Sequence, residues 1–248
     1  MPKLKLPDVE MIINEAITNV IGKHQKNGLR ELLISKNFSD VINEIEEEAN
    51  RIYRIYERKA IERYLRDKSL TTKDVLTAIN AIIDNSLITS IANIRKARAG
   101  SSVQTILVKA LSALGIKCEV ARYEYKGYRP DIIVPSNKML ERGVEHVFVL
   151  AVKRTLRERW AEDIDVFKFP NSAFVLIKPD PDFTPEKARD MVRRGMKNVY
   201  IPDILYDKLK DVLRKEHGTI FKPLSQLPKD LDSFLKYAYY WQDEKGDA

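Results

Sequence analysis

Two short runs set an acid and a base at the edges of apolar stretches. Tyr128-Arg129-Pro130-Asp131-Ile132-Ile133-Val134 puts a carboxylate at the start of one, and Phe148-Val149-Leu150-Ala151-Val152-Lys153 ends the other in an amine. Short apolar runs bounded by turn residues read as buried strands. If the two strands pair, Asp131 and Lys153 can meet at one end of a sheet. A carboxylate there is a hard oxygen ligand for Mg²⁺. A bound metal polarises a phosphate and lowers the pKa of its water. A lysine orients or activates that water and offsets charge developing on the phosphorane. The chemistry that such a pair serves is phosphodiester hydrolysis. The same fragments also have a plainer reading, because Pro-Asp is common turn chemistry and a strand-end lysine commonly sits in water.

The residues around these runs add order. Lys153 continues as Arg154-Thr155-Leu156-Arg157-Glu158-Arg159-Trp160. Upstream, Arg98-Ala99-Gly100-Ser101-Ser102 leads into an amphipathic stretch closed by Gly115-Ile116. Downstream come Phe174-Val175-Leu176, then Thr184-Pro185-Glu186, then Val199-Tyr200-Ile201-Pro202. In this ordered set the chain resembles type II restriction endonucleases of the PD-(D/E)xK superfamily, in the EcoRII/NgoMIV-like branch. The match spans roughly residues 95–205 and leaves the N-terminal part uncovered.

That resemblance implies an α/β fold, a restriction-endonuclease-like core with a mixed central β-sheet flanked by helices. It implies Mg²⁺-dependent hydrolysis of double-stranded DNA at a short palindromic site with CC/GG ends, by a homodimer. It also implies Arg157, Glu158 and Arg159 as the DNA recognition residues. Their chemistry agrees: arginine bonds bidentately to guanine O6 and N7, and glutamate accepts from cytosine N4. The plainer reading of Arg-Glu-Arg is an exposed, salt-bridged helix surface. Trp160 reads as a packing anchor for that helix.

The chain departs from the family pattern at three places. The acid usually found two residues before the lysine is Ala151. The family's next glutamate falls at Val166, with Glu162, Asp163 and Asp165 nearby. Where the family often has an acid on the helix after the Ala-Gly-Ser segment, this chain has Gln104, expected to support the site from behind the metal ligands. The expected catalytic set is therefore Asp131 and Lys153, with Glu162 or Asp165 as the second metal ligand beside Asp131. On a helix, residue 162 lies one turn, about 5.4 Å, before residue 166 on the same face.

These groups need elements to hold them. Ile12, Ile13, Ala16, Ile17, Val20 and Ile21 recur at helical spacing, and so do Ile42, Ile45, Ala49, Ile52, Ile55 and Tyr56 within 39–66. Thr71 to Asp74 reads as a further helix start. Ser101 or Ser102 can cap a helix holding Val103, Ile106, Leu107, Ala110 and Leu111, stopped by Gly115. Strands are expected over 117–125, 131–134, 147–153, 173–177 and 199–201. Helices are expected over 156–166, from Thr184-Pro185, and over 204–214. The division expected is an α-helical N-terminal region, 1–95, used for DNA contact or dimerisation, and a nuclease core, 96–248. The basic stripe Arg51, Arg54, Arg58, Lys59 and Arg63, with Tyr53, Tyr56 and Tyr64, reads as a solvated helix face, with phosphate contact as the alternative. The aromatic tail Tyr237 to Trp241 reads as packing or a subunit contact.

Composition sets the outer limits. Hydrophobic residues make up 44 % and charged residues 32 %, which excludes a disordered chain. Lys and Arg number 43 against 36 Asp and Glu, giving +7, a mild pointer to a polyanion. One cysteine, Cys118, allows no disulfide within the chain and suits a reducing cytoplasm. It reads as a small packed residue. No apolar run approaches a membrane span, so no membrane partner is expected. Two other functions share these features: a repair or junction nuclease of the same fold, and a catalytically impaired DNA-binding relative.

Overall fold

The computed structural model describes residues 6–67, 86–122, 124, 127–156 and 169–245. The expected second ligands Glu162 and Asp165, the readers Arg157, Glu158 and Arg159, and Trp160, Asp163 and Val166 lie outside them, as does the helix start at Thr71.

The chain begins with helices. Asp8 accepts the Met11 N–H at 2.6 Å and caps α1, Val9–Lys23, which buries Ile12, Ile13, Ala16 and Val20. A short α2, Leu29–Ser35, precedes the 30-residue α3, Phe38–Asp67. Ile42, Ile45, Ala49 and Ile52 of α3 are buried as their spacing predicts, whereas Tyr56 is half-buried and Ile55, at the end of the stripe, is exposed. Sealing each isoleucine from water contributes about 1.5–3 kcal/mol.

Helix α4, Ser86–Ala113, corrects one expectation. Ser101 and Ser102 do not cap a helix start; they lie inside a continuous one. Gly100 is tolerated there because a helix interior accepts glycine at a cost of about 1 kcal/mol. The helix also runs unbroken through residue 95. Its end is the expected one. Gly115 takes φ +87, a left-handed conformation that glycine adopts freely, and the Ile116 N–H bonds back to the Leu111 carbonyl at 3.0 Å.

Among the described residues, six strands form one mixed sheet in sequential order. They are β1, Glu119–Val120; β2, Ile132–Val134; β3, Phe148–Lys153; β4, Ser172–Leu176; β5, Val199–Ile201; and β6, Phe221–Pro223. The first three pair antiparallel, and β3 to β6 pair parallel. The strand expected over 117–125 is thus two residues long. Between strands lie α5, Asn137–Arg142; α6, Pro185–Arg193; and α7, Asp203–His217. Helix α8, Leu227–Lys245, closes the described chain. Thr184 caps α6 by accepting the Lys187 N–H at 3.3 Å, with Pro185 in the first turn.

The strands are continuous apolar runs because both sheet faces are covered. Ile132, Val134, Leu150 and Val152 share one core with residues of α1, α3 and α4. Ile133, Val149, Ala151 and Phe174 share the other with Met191, Tyr206 and Leu213. Cys118 is buried as expected, and burial pushes its thiol up to about 11, which makes it a poor nucleophile. Helix α8 is pinned through Asp230, which accepts from Tyr200 Oη at 2.6 Å and from Lys222 Nζ at 2.7 Å.

Candidate active site

Asp131 stands immediately before β2, and the register Ile132↔Leu150 puts it opposite Ala151. Its backbone extends the sheet in both directions. The Asp131 N–H bonds the Leu150 carbonyl at 3.0 Å, and its carbonyl accepts the Ala121 N–H at 3.1 Å. The carboxylate then continues the ladder where the strand stops, since Oδ2 accepts the Val152 N–H at 2.7 Å. Oδ1 accepts from Gln104 Nε2 of α4 at 2.5 Å. Backbone and side chain together fix the group from two strands and one helix.

Lys153 is the last residue of β3 and is half-buried. Side chains alternate along a strand, so Lys153 shares a face with Ala151, the residue opposite Asp131. The two sequence-predicted residues therefore occupy neighbouring strands at the same end of the sheet. The parallel partner holds the lysine from the other side. Its carbonyl accepts the Ile177 N–H at 2.9 Å, and the Arg154 carbonyl accepts that of Lys178 at 3.1 Å.

Two residues of this end were not picked out from the sequence. Asp180 is 3 % exposed. Its Oδ2 accepts the Leu156 N–H at 2.6 Å and its Oδ1 that of Asp182 at 2.9 Å. It anchors the backbone that leads from Lys153 towards Arg157. In the sequence Lys178-Pro179-Asp180-Pro181-Asp182 reads as an ordinary turn, and nothing in it marks one carboxylate as buried. Glu46 of α3 is 4 % exposed. Its Oε1 accepts from Arg154 Nε at 2.6 Å and from Asn50 Nδ2 at 2.9 Å, and its Oε2 lies 2.9 Å from the Lys178 ammonium in ionic contact. A signal existed here: position 46 is four after Ile42 and three before Ala49, hence on the apolar stripe.

The basic stripe of α3 divides. Tyr53 and Tyr56 turn inward, donating to Glu57 at 3.0 Å and to Glu15 at 3.1 Å. Arg54, Arg58, Lys59 and Arg63 are exposed. Among the described residues, no cluster of three or more acidic, histidine or cysteine side chains is placed to hold a metal. Asp131 is nonetheless the right donor type. Mg²⁺ keeps several waters and is commonly held by one or two carboxylates with substrate phosphate, so one fixed carboxylate fits such an ion. Among the described residues no helix is long and apolar enough to cross a membrane.

Comparison with known proteins fits this geometry. The EcoRII C-terminal family model matches residues 53–222, more than half of the chain. A solved complex of the restriction endonuclease PspGI with substrate DNA is 26 % identical, with TM-score 0.73, covering 93 % of this chain and 94 % of that one. A metal-depleted Ecl18kI bound to uncleaved, modified DNA has the same fold at 17 % identity and TM-score 0.65, covering 95 % of this chain and 80 % of that one. Ecl18kI on uncleaved DNA gives 17 % and 0.64 over the same shares. No curated protein matches the chain. With a mixed six-stranded sheet, an acid and a lysine at one sheet end and the family model across most of the chain, the protein belongs to the EcoRII C-terminal family and is a type II site-specific DNA endonuclease.

Proposed function

We propose that the protein hydrolyses phosphodiester bonds in double-stranded DNA with Mg²⁺, at a short palindromic site with CC/GG ends, as a homodimer. The observation that carries this is the placement of Asp131 and Lys153 on neighbouring strands at one end of the sheet, with the Asp131 carboxylate held by Val152 N–H. Asp131 holds the ion together with Glu162 or Asp165. The ion, when bound, supplies Lewis-acid polarisation of the phosphate and a more acidic water. Lys153 orients the attacking water and offsets charge on the phosphorane oxygens. Arg157, Glu158 and Arg159 read the C·G pairs in the major groove. The helical region 1–95 contributes DNA or subunit contacts to the core, 96–248. One constellation per chain and cleavage of both strands call for two chains at a palindrome. The absence of a membrane partner and a cytoplasmic location complete the proposal.

A second reading, a catalytically impaired DNA-binding relative, draws on Ala151 and on the Gln104 amide bonded to Asp131. Incubation of mixed-sequence plasmid with Mg²⁺, followed by sequencing of the ends, separates the two. Discrete fragments whose ends carry CC/GG palindromes are expected. Binding without cleavage supports the impaired relative, and nicking dependent on DNA structure supports a repair or junction nuclease. Light scattering should give a dimer on DNA; a monomer there counts against the assembly.

A further inference from the structure

A groove of about 660 Å³ runs beside the described active-site end. Arg51, Arg54, Arg58 and Lys59 of α3 line it, and Arg154 and Lys178 from the ends of β3 and β4 join them. Only two acids, Glu47 and Glu62, line it as well, so its wall is strongly cationic. Arg51 is engaged by Glu48 through Nε at 2.7 Å and Nη2 at 2.6 Å. Arg154 is placed differently. Among the described residues its only bond is from Nε to Glu46, which leaves both terminal nitrogens of a planar fork for a ligand.

Beneath these cations sits Glu46, a carboxylate that is almost fully buried. A buried charge is costly unless paired, and Glu46 is paired twice over, with Arg154 and with Lys178 at 2.9 Å. One anion thus holds two cations from two strands against one helix, and the trio keeps a net positive charge. Lys178 also lies 3.4 Å from the exposed Glu47. Arg154 follows Lys153 directly at the end of β3, with its side chain turned to the α3 side of the sheet, where Glu46 holds it.

We infer that Arg154 and Lys178 form a phosphate-binding floor for the DNA backbone, taking phosphates that flank the one at Lys153, and that Glu46 is the positioning residue that aims them. The ligand rests on the double-stranded DNA reading above; the floor itself is a separate claim. It links α3 to the residue next to the catalytic lysine, so backbone contact and alignment of Lys153 share one anchor.

The test measures binding of a mixed-sequence 30-base-pair duplex across a KCl series without divalent cation, where cleavage plays no part. Arg154→Gln and Lys178→Gln should each weaken binding several-fold at about 0.1 M salt and flatten the slope of log K against log salt by about 0.9. Lys215→Gln, an equal charge loss at the exposed far end of α7, should leave the slope unchanged. Glu46→Gln discriminates further. It removes a negative charge, so net charge alone makes binding tighter, whereas loss of positioning makes it weaker. Melting curves identify variants that remain folded. Unchanged slopes in folded Arg154→Gln and Lys178→Gln overturn the floor, and tighter binding by folded Glu46→Gln overturns the positioning role. A wild type that binds the duplex normally but cuts no plasmid leaves the floor standing and removes the cleavage reading instead.

Discussion

Gln104 donates its side-chain amide to Oδ1 of Asp131 at 2.5 Å, across the junction of α4 and β2. An amide stands where the sequence resemblance leads one to expect an acid, so Asp131 meets a donor in place of a second negative charge. Gln104→Ala should lower stability by about 1–2 kcal/mol, at the lower end for a hydrogen bond to a charged group in a half-buried site. Gln104→Glu should melt lower than wild type without metal, because two carboxylates then face each other. It should recover more on adding Mg²⁺, since a ligand that binds the folded state stabilises it by mass action. Thermal melts with and without Mg²⁺ check both.

The Asp131 carboxylate also serves the sheet, which decides how it should be tested. Asp131→Ala leaves the Val152 N–H without its acceptor and should cost about 1–3 kcal/mol of stability. Asp131→Asn keeps an acceptor oxygen, so it should fold normally yet show no Mg²⁺-dependent cleavage. Lys153→Ala should also lose cleavage while still retaining DNA in a gel-shift assay. Wild-type cleavage by Asp131→Asn or Lys153→Ala would remove the residue concerned from the site.

The second acid is open to direct comparison. Glu162→Gln and Asp165→Asn change charge with little change in size. One of them should reduce cleavage at least tenfold and raise the Mg²⁺ concentration needed for half-maximal rate, with Glu162 favoured by its extra methylene. If both cut like wild type across the Mg²⁺ titration, the second ligand is some other group.

Asp180 holds the backbone at Leu156, between Lys153 and the proposed recognition residues. Asp180→Ala should destabilise the fold by about 1–3 kcal/mol, because the buried Leu156 N–H and the more exposed Asp182 N–H lose their acceptor. It should also relax discrimination between a cognate site and one carrying a single C·G change, as the segment after Leu156 loses its anchor. Competition cleavage of the two substrates reads this effect. A folded variant with full discrimination argues that Asp180 acts on stability alone.

Acid stability has a specific contributor on α3. The Arg51 guanidinium, and after it the Asn19 amide, hold the Glu48 carboxyl down to about 2 from the usual 4.5, against the opposing effect of partial burial. The folded-state pKa is below the unfolded one. Its stabilisation is therefore complete above about pH 4.5 and is lost as pH falls towards 2. Glu48→Gln should flatten the fall in melting temperature over that window, and an unchanged profile would assign the acid response to other carboxylates.

Parts of this molecule follow from its residue pattern and parts do not. A helix expected over 39–66 is found as Phe38–Asp67, because its apolar stripe is long and regular. The strand Val199–Ile201 and the Thr184-Pro185 helix start are also found where local chemistry puts them. Strand β6 was missed, since Phe221-Lys222-Pro223 is three residues long and ends in proline, a residue without an N–H to donate. The false helix start at Ser101 came from a good capping residue whose cap is not needed, as the helix arrives from Ser86. The placement of Asp131 and Lys153 at one end of the sheet was legible because both stand at strand boundaries. Asp180 was not, and Glu46 was marked only as an acid on an apolar stripe, because their roles depend on Leu156, Arg154 and Lys178, partners 24, 108 and 132 residues away that only the folded sheet brings near.

Strand β3 is paired antiparallel on one side and parallel on the other. The acid thus reaches Lys153 from the β2 side, and Asp180, which holds the Leu156 N–H, from the β4 side. In the proposed function, two separate neighbours of β3 would support cutting and reading. If the segment after Leu156 reads the DNA as proposed, lineages of such a chain could change the sequence they recognise there, while Asp131 keeps its support from β3 and α4. On that proposal the fold would be suited to acquiring new targets without first losing its blade.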